Sequence, residues 1–412
     1  MENLKIKKAI CSMLVSEDSQ HINDFLSSIK EPYWDSVYKF LTFFGLCPLF
    51  YYKIRRHYNH VPEHILESLK KYYSSASAEY IKGNHDLNNI LIAANNHNID
   101  IILIKGIYLS EKYYSNPVTR TMQDIDLLIK KDAAVRTAEL IQEFGYKFIH
   151  KFDFKTWLKY EKHLPELIHP NKRPIELHCE LKFLKLPGNP EVNINTDDIR
   201  SRAEEINIEG NKAYTMSVED IILHLCMEIV QDKFRQCLIK MLDLHFLISR
   251  EDINWNTVKN RAEEWNITKM LFIVITSVEN IFNTVLNNFS SEIKEFKKEN
   301  FLIIEAVEKH LLATINTGTQ CIESSIIEEF QNRKLAGKIK YLFYGFFSSH
   351  VICRTYGLDE KSKKKYFYYL PRALFVLKNY FKKSLNLYFL RKKKSTTHKS
   401  VSYIQILKWL KE

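Results

Sequence analysis

The sequence predicts an α+β protein in which a small mixed-sheet core is embedded between helical N- and C-terminal regions. Three observations carry that reading. Glycine and proline number only 10 each in 412 residues, which argues against a loop-rich all-β fold. Apolar residues recur at helical spacing along most of the chain, and near residue 99 the period changes to that of short buried strands. Hydrophobic residues make up 45% and charged residues 26%, with 23 Tyr and 25 Phe, so disordered and fibrous classes are excluded and core material is ample. The pattern divides the chain into a helical region (1–96), an α/β core (97–210), a helical domain (211–330) and a basic, aromatic-rich helical region (331–412).

Taken in order, residues 4–95 read as helices. Tyr38, Leu41 and Phe44, and again Ile65, Leu69, Tyr72 and Tyr73, follow helical spacing, with Pro48 and Pro62 as punctuation. Asp86 to Asn96 reads as a separate helix with a polar stop. Ile99 to Ile104 is a β-branched run and reads as a strand, closed by Lys105-Gly106; Ile107 to Tyr114 forms a short helix and Asn116-Pro117 a turn. Met122 to Ile129 is the second strand. Asp132 suits an N-cap for a helix from Ala133 to Phe144, and Gly145 its stop. Tyr146 to Ile149 is the third strand, and the alternating Pro174 to Leu181 the fourth. Ser217 to Asp220 opens an apolar helix to Val230, and more helices follow at about 235–249, 255–266, 268–288 and 299–314. Leu335 to His350 and Tyr366 to Phe389 read as aromatic-rich helices, Arg391 to Lys394 as the start of a solvated linker, and Val401 to Leu410 as a small amphipathic helix. No fixed-period repeat occurs.

The net charge of +11 is unevenly spread. Residues 331–412 hold 20 Lys/Arg against 3 acids, whereas the first 330 hold 40 against 46. Interleaved with Tyr366 to Tyr369, Tyr380 and Phe381, the C-terminal lysines could grip a phosphate backbone or an anionic membrane surface. We read 361–385 as helices whose aromatics pack on the protein. Seven cysteines, an odd number without a CxxC pair, read as a reduced, cytoplasmic protein. The N-terminus lacks the apolar core of a signal peptide, and no run approaches the ~18 apolar residues of a membrane span.

The chemistry concentrates around Asp124 and Asp126. Strand period puts both carboxylates on one face, with Ile125 and Leu127 on the other. A bare Asp-x-Asp reads first as two solvated acids. Buried together they repel, and a hard divalent ion such as Mg²⁺ is their natural partner. Glu176, mid-strand in another alternating segment, supplies a third carboxylate and so completes a two-metal site. His178 reads as a group behind the ligands or a core-edge histidine, and Glu180 as a solvated strand end. Lys105-Gly106, between strand and helix, allows close backbone approach to a phosphate with an added positive charge, and Arg120 offers another. Lys240 and Asp243 share a helix face and read as an intrahelical ion pair. His224 and His245 read as core histidines.

Together, Ile104-Lys105-Gly106, Leu109, Tyr113-Tyr114, Arg120, Asp124 to Ile129, Gly145-Tyr146 and Pro174 to His178 resemble the uncharacterised bacterial nucleotidyltransferase family of the DNA polymerase β superfamily. The similarity extends to Tyr33-Trp34-Asp35, Pro48 to Tyr51, Ser217 to Leu225, Lys240 to Leu244 and Asn254-Trp255. The usual Gly-Ser after the first strand is here Gly106-Ile107, so no serine hydroxyl helps to hold the triphosphate. The resemblance implies a nucleotidyltransferase core that transfers a nucleoside monophosphate from an NTP to an acceptor. Asp124, Asp126 and Glu176 would hold two Mg²⁺ ions, and Lys105, Gly106 and Arg120 would steady the triphosphate. The acceptor class it implies is a small molecule, glycan precursor or peptide. A nucleic-acid acceptor, with the basic C-terminus as its grip, is a second option. A degenerate, non-catalytic transferase is the third, and the intact acid set argues against it.

Overall fold

The structure is a computed structural model that describes residues 2–149, 152–154, 157–158, 161–181, 192–313, 349–359, 361–372, 374, 405–406 and 409–410. Most of the helix expected at 335–350, most of 366–389, the basic linker and most of 401–410 lie outside the described residues.

Four helices, α1 (Glu2–Val15), α2 (Ser19–Ser28), α3 (Trp34–Phe43) and α4 (Cys47–Ile54), lead into the long α5 (Glu63–Asn96). The sequence reading split α5 in two. No proline follows Pro62 within it, and its mid-helix Gly83 has a packing reason. A Cβ there would lie 3.2 Å from Arg173 Nε, so glycine makes room for an arginine laid across the helix. The helical propensity lost is about 1 kcal/mol relative to alanine.

The core then runs β1 (Ile102–Leu103), α6 (Gly106–Tyr113), β2 (Ile125–Leu128), α7 (Ala134–Glu143), β3 (Lys147–Phe148), β4 (Leu167–His169), β5 (Lys172–His178), α8 (Thr196–Ser201), β6 (Glu204–Ile208) and β7 (Asn211–Thr215). These strands form one mixed sheet in the order β3-β4-β5-β2-β1-β7-β6. β2 runs parallel to β5 and antiparallel to β1, and β1 runs parallel to β7. The fold is therefore α+β with a mixed sheet, as the sequence predicts.

Three strands escaped the sequence reading. β6 and β7 form a hairpin across Glu209-Gly210, both at positive φ (49° and 88°), as a two-residue I′ turn requires. β4 is only three residues long. Strand bounds differ too: the first strand is Ile102–Leu103 where Ile99–Ile104 was expected, and the fourth expected strand, Pro174–Leu181, is Lys172–His178. Asp124 precedes β2 instead of lying within it, and Asp132 sits in a turn one residue ahead of the N-cap, Ala133, which makes no side-chain cap.

Both sheet faces are covered. Ile101, Leu103, Ile125, Leu127, Ile175 and Leu177 belong to a core shared with Leu87, Leu91 and Ala94 of α5 and Ala138 and Ile141 of α7. The alternate positions, Ile102, Ile104 and Leu128, join the larger core. That core is completed by α9 (Val218–Gln231), α10 (Leu238–Arg250), α11 (Trp255–Glu264), α12 (Thr268–Phe282) and α13 (Ser290–Leu311). α9 packs on α10, α11 and α12. Ser217 caps α9 through the Asp220 amide, and Asn283 (φ 55°, ψ 38°) stops α12 six residues before the expected end. α13 starts nine residues before the expected helix and is interrupted at Asn300.

Beyond α14 (Ser349–Tyr356) a 3₁₀ turn, Lys363–Tyr368, leaves Tyr366 and Phe367 exposed, the latter by 82%. The packing expected of the C-terminal aromatics thus does not extend to these two rings. Among the described residues no helix is long and apolar enough to cross a membrane.

Candidate functional site

Asp126 of β2 lies directly opposite Glu176 of its parallel neighbour β5. Period 2 turns both away from Ile125 and Leu127, toward the sheet face covered by the C-terminal helices. His178 follows two residues after Glu176 on the same face. Its Nε2 is 2.8 Å from Asp126 Oδ1 and 3.2 Å from Glu176 Oε2. The ligand atoms of Asp126, Glu176 and His178 all fall within 4.8 Å of one another. Asp124, just upstream of β2, stands outside that triad yet feels it electrostatically.

The charges explain themselves in these terms. Burial first, then the neighbouring Asp126 and Glu176, push the Asp124 carboxyl up to about 6. Burial works the same way on Asp126, but Lys105 and His178 outweigh it and hold this carboxyl well below the usual carboxylate range. The hydrogen bond from His178 is the leading cause that lowers Glu176. One acid of the three is thus near its titration point while the other two are firmly ionised.

Lys105 joins β1 to α6. Its Nζ is 3.0 Å from Asp126 Oδ1 and 3.5 Å from Glu228 Oε2. Burial opposes its charge, but Glu228 and Asp126 together raise its pKa. The backbone here has φ 59° and ψ −131°, a turn conformation that favours glycine and costs a lysine about 1–3 kcal/mol.

Arg120 and Gly106 take parts different from those expected. The Arg120 guanidinium is committed to Asp243 of α10, through Nε to Oδ1 at 2.9 Å and Nη2 to Oδ2 at 2.7 Å. Tyr114 donates to the same carboxylate at 2.8 Å. A Cβ on Gly106 would come within 2.4 Å of Arg120 Nη1, so this glycine admits the guanidinium that staples the core to α10. Asp243 therefore does not pair with Lys240. Lys240 binds Glu228 at 3.2 Å and Asp232 at 2.5 Å instead.

Glu228 is the residue that sequence reasoning passed over. It is buried on α9 and gathers three lysines from three separate segments. Lys162 approaches Oε1 at 3.3 Å, and Lys105 and Lys240 approach Oε2. Burial opposes its charge, yet the lysines hold its pKa well below the ordinary value. One turn earlier on the same face, His224 is buried with neither ring nitrogen hydrogen-bonded, and burial pushes its pKa down to about 3. The signal was present in the sequence: a His and a Glu four apart in an otherwise apolar helical run. His245, by contrast, is partnered by Thr284 at 2.7 Å.

This set fits a hard divalent cation. Two ionised carboxylates in register on adjacent strands, with a third close by, supply the oxygen donors such ions prefer. His178 Nδ1 is buried without a hydrogen-bond partner, so the ring's hydrogen bonds run through Nε2 to the carboxylates it orients.

Against known proteins, no curated protein matches the chain. A solved structure of the antibiotic-resistance factor ANT(2'')-Ia matches at 15% identity, covering 53% of this chain and 96% of its own; its TM-score of 0.25 is too low to carry an argument. The family comparison is decisive. Residues 30–283, well over half of the chain and including every acid and lysine of the site, match the uncharacterised nucleotidyltransferase family, and the chain belongs to that family of nucleotidyl-transferring enzymes.

Proposed function

We propose that the protein transfers a nucleoside monophosphate from an NTP to a hydroxyl or phosphate of a small molecule, glycan precursor or peptide, with Asp124, Asp126 and Glu176 holding two Mg²⁺ ions. The observation that carries this reading is the Asp126–Glu176 register on adjacent parallel strands, with Asp124 close enough to feel both charges. The acceptor oxygen attacks the α-phosphorus and pyrophosphate leaves. Bound ions supply neutralisation of the charge that develops on the transferring phosphate and the leaving group.

The chain's own residues do the rest. His178 fixes the orientation of Asp126 and Glu176. Glu176, its pKa lowered by that contact, takes the acceptor's proton in this reading. Lys105, Lys162 and Lys240, gathered on Glu228, form the positive wall for the triphosphate.

Isothermal titration of each NTP with Mg²⁺, on wild type and on Asp124→Ala/Asp126→Ala, tests the proposal. Magnesium-dependent binding lost in the double variant is the expected result. A folded wild-type protein that binds no NTP refutes it.

A further inference from the structure

Asp126 is almost fully buried and flanked by two other acids, and its charge is answered from within the chain. The Lys105 ammonium sits 3.0 Å from Asp126 Oδ1, the same oxygen that accepts from His178 Nε2. A cation bound through that oxygen has to share it with an ammonium already in contact, and like charges at such a distance repel strongly. Lys105 has somewhere else to go. Glu228 Oε2 is already only 3.5 Å from the same Nζ.

We propose that Lys105 is a built-in stand-in for the divalent cation at Asp126, and that Glu228 receives its ammonium when the ion binds. The idea rests on the metal-holding reading given above. Three observations support it. Lys105 divides itself between two buried carboxylates that belong to different parts of the fold, β2 and α9. Its backbone is held at a φ that disfavours a side chain, so the ammonium is kept at this point against local strain. Glu228 is fixed in advance by Lys162 on one oxygen and Lys240 on the other, so receiving Lys105 requires no movement of α9. The exchange also has a consequence for substrate: arrival of the ion moves Lys105 toward Lys162 and Lys240 and so completes the cluster that meets the triphosphate.

The test is binding of MnCl₂ alone, without nucleotide, followed by the electron paramagnetic resonance signal of the free ion. Relative to wild type, Lys105→Met is expected to bind Mn²⁺ about tenfold tighter, because a competitor has gone, while its affinity for Mg-NTP falls. Lys240→Met removes an equal charge from the same cluster without touching Asp126, and its Mn²⁺ affinity is expected to stay within about twofold of wild type. Glu228→Gln approaches from the other side. With its destination weakened, Lys105 stays on Asp126 and Mn²⁺ binds about tenfold more weakly, whereas Asp232→Asn leaves it unchanged. Equal tightening in Lys105→Met and Lys240→Met, or none in Lys105→Met, overturns the exchange and leaves the metal site standing. Absence of any Mn²⁺ binding that Asp126→Asn removes overturns both. Should Lys105→Met fail to fold, the Glu228→Gln and Asp232→Asn pair decides alone.

Discussion

Replacing Asp124 by Asn should make the metal-free protein more stable while destroying its capacity to bind an ion. The carboxyl is raised from 3.8 to about 6 by burial and by the charges of Asp126 and Glu176. Each pK unit corresponds to about 1.4 kcal/mol, so the full shift amounts to about 3 kcal/mol of unfavourable free energy in the ionised state. Asp124 keeps partial solvent contact, which screens the repulsion, and we expect a gain of about 1–2 kcal/mol. The pH dependence has a definite sign. An acid whose folded pKa is raised loses fold stability as pH climbs from 3.8 toward 6, and the loss is complete above that. Wild type and Asp124→Asn should therefore be equally stable near pH 3.5, diverge between pH 4 and 6.5, and remain apart above it. Urea unfolding in EDTA across that range measures the difference. With saturating Mg²⁺ at pH 7.5 the wild type gains stability by ion binding and the variant does not, so the gap narrows or reverses. A variant that is less stable than wild type in EDTA at pH 7.5 would refute the claim that burial and the neighbouring acids together make the ionised carboxyl unfavourable at this position.

Two further predictions follow from the buried charges. Asp243→Ala strands the Arg120 guanidinium, whose side chain is only 7% exposed, and should cost about 3–5 kcal/mol in urea unfolding. The double variant Arg120→Met/Asp243→Leu should recover much of that loss, since it removes both charges together. His224→Leu should flatten the acid limb of stability. With its pKa lowered from 6.5 to about 3, the wild-type imidazole resists protonation in the fold and accepts it when unfolded, so stability falls as pH drops below 6.5. The variant should gain on wild type by up to about 1.4 kcal/mol per pH unit there, and parallel curves would discount the effect.

How much of this was legible in the sequence depends on the range of the interaction that fixes each feature. Period and composition act locally, and they were enough for the α+β class, for α6, α7 and β5, and for the placing of Asp126 and Glu176 on the face opposite Ile125. Gly106 shows the limit. A glycine after a strand suggests close backbone approach, and the approach is real, but the visitor is the Arg120 side chain. Only the pairing of residues 123 positions apart, Arg120 with Asp243, reveals it. Gly83 shows the same limit: a glycine amid polar residues weakens a helix, and only the Arg173 side chain lying across it gives its reason. β6 and β7 were missed because Glu209 occupies a turn position at which Asn or Gly is the usual signal. The cluster around Glu228 draws on the β1–α6 junction, the segment before β4, α9 and α10, and no local pattern links those four segments.

The site and its scaffold bear opposite relations to stability. Asp124, Asp126 and Glu176 repel one another, Lys105 sits in a disfavoured backbone conformation, and His224 is buried without a partner. Each is a cost to the stability of the fold. Four residues before Asp124 the interactions are of the contrary kind: a bidentate Arg120–Asp243 pair completed by Tyr114, with Gly106 shaped to admit it. That pair ties the segment between α6 and β2 to α10, with Tyr114 just past the end of α6 bonded to the same carboxylate and Gly106 at its start packed against the guanidinium; α10 in turn packs on α9, which carries Glu228. Loss of the staple should therefore separate Lys105 from Glu228 before it disturbs Asp126 and Glu176, whose register is fixed by backbone pairing of β2 with β5. Apposition of the two halves of the site, more than the geometry of either half, is what the Arg120–Asp243 pair maintains.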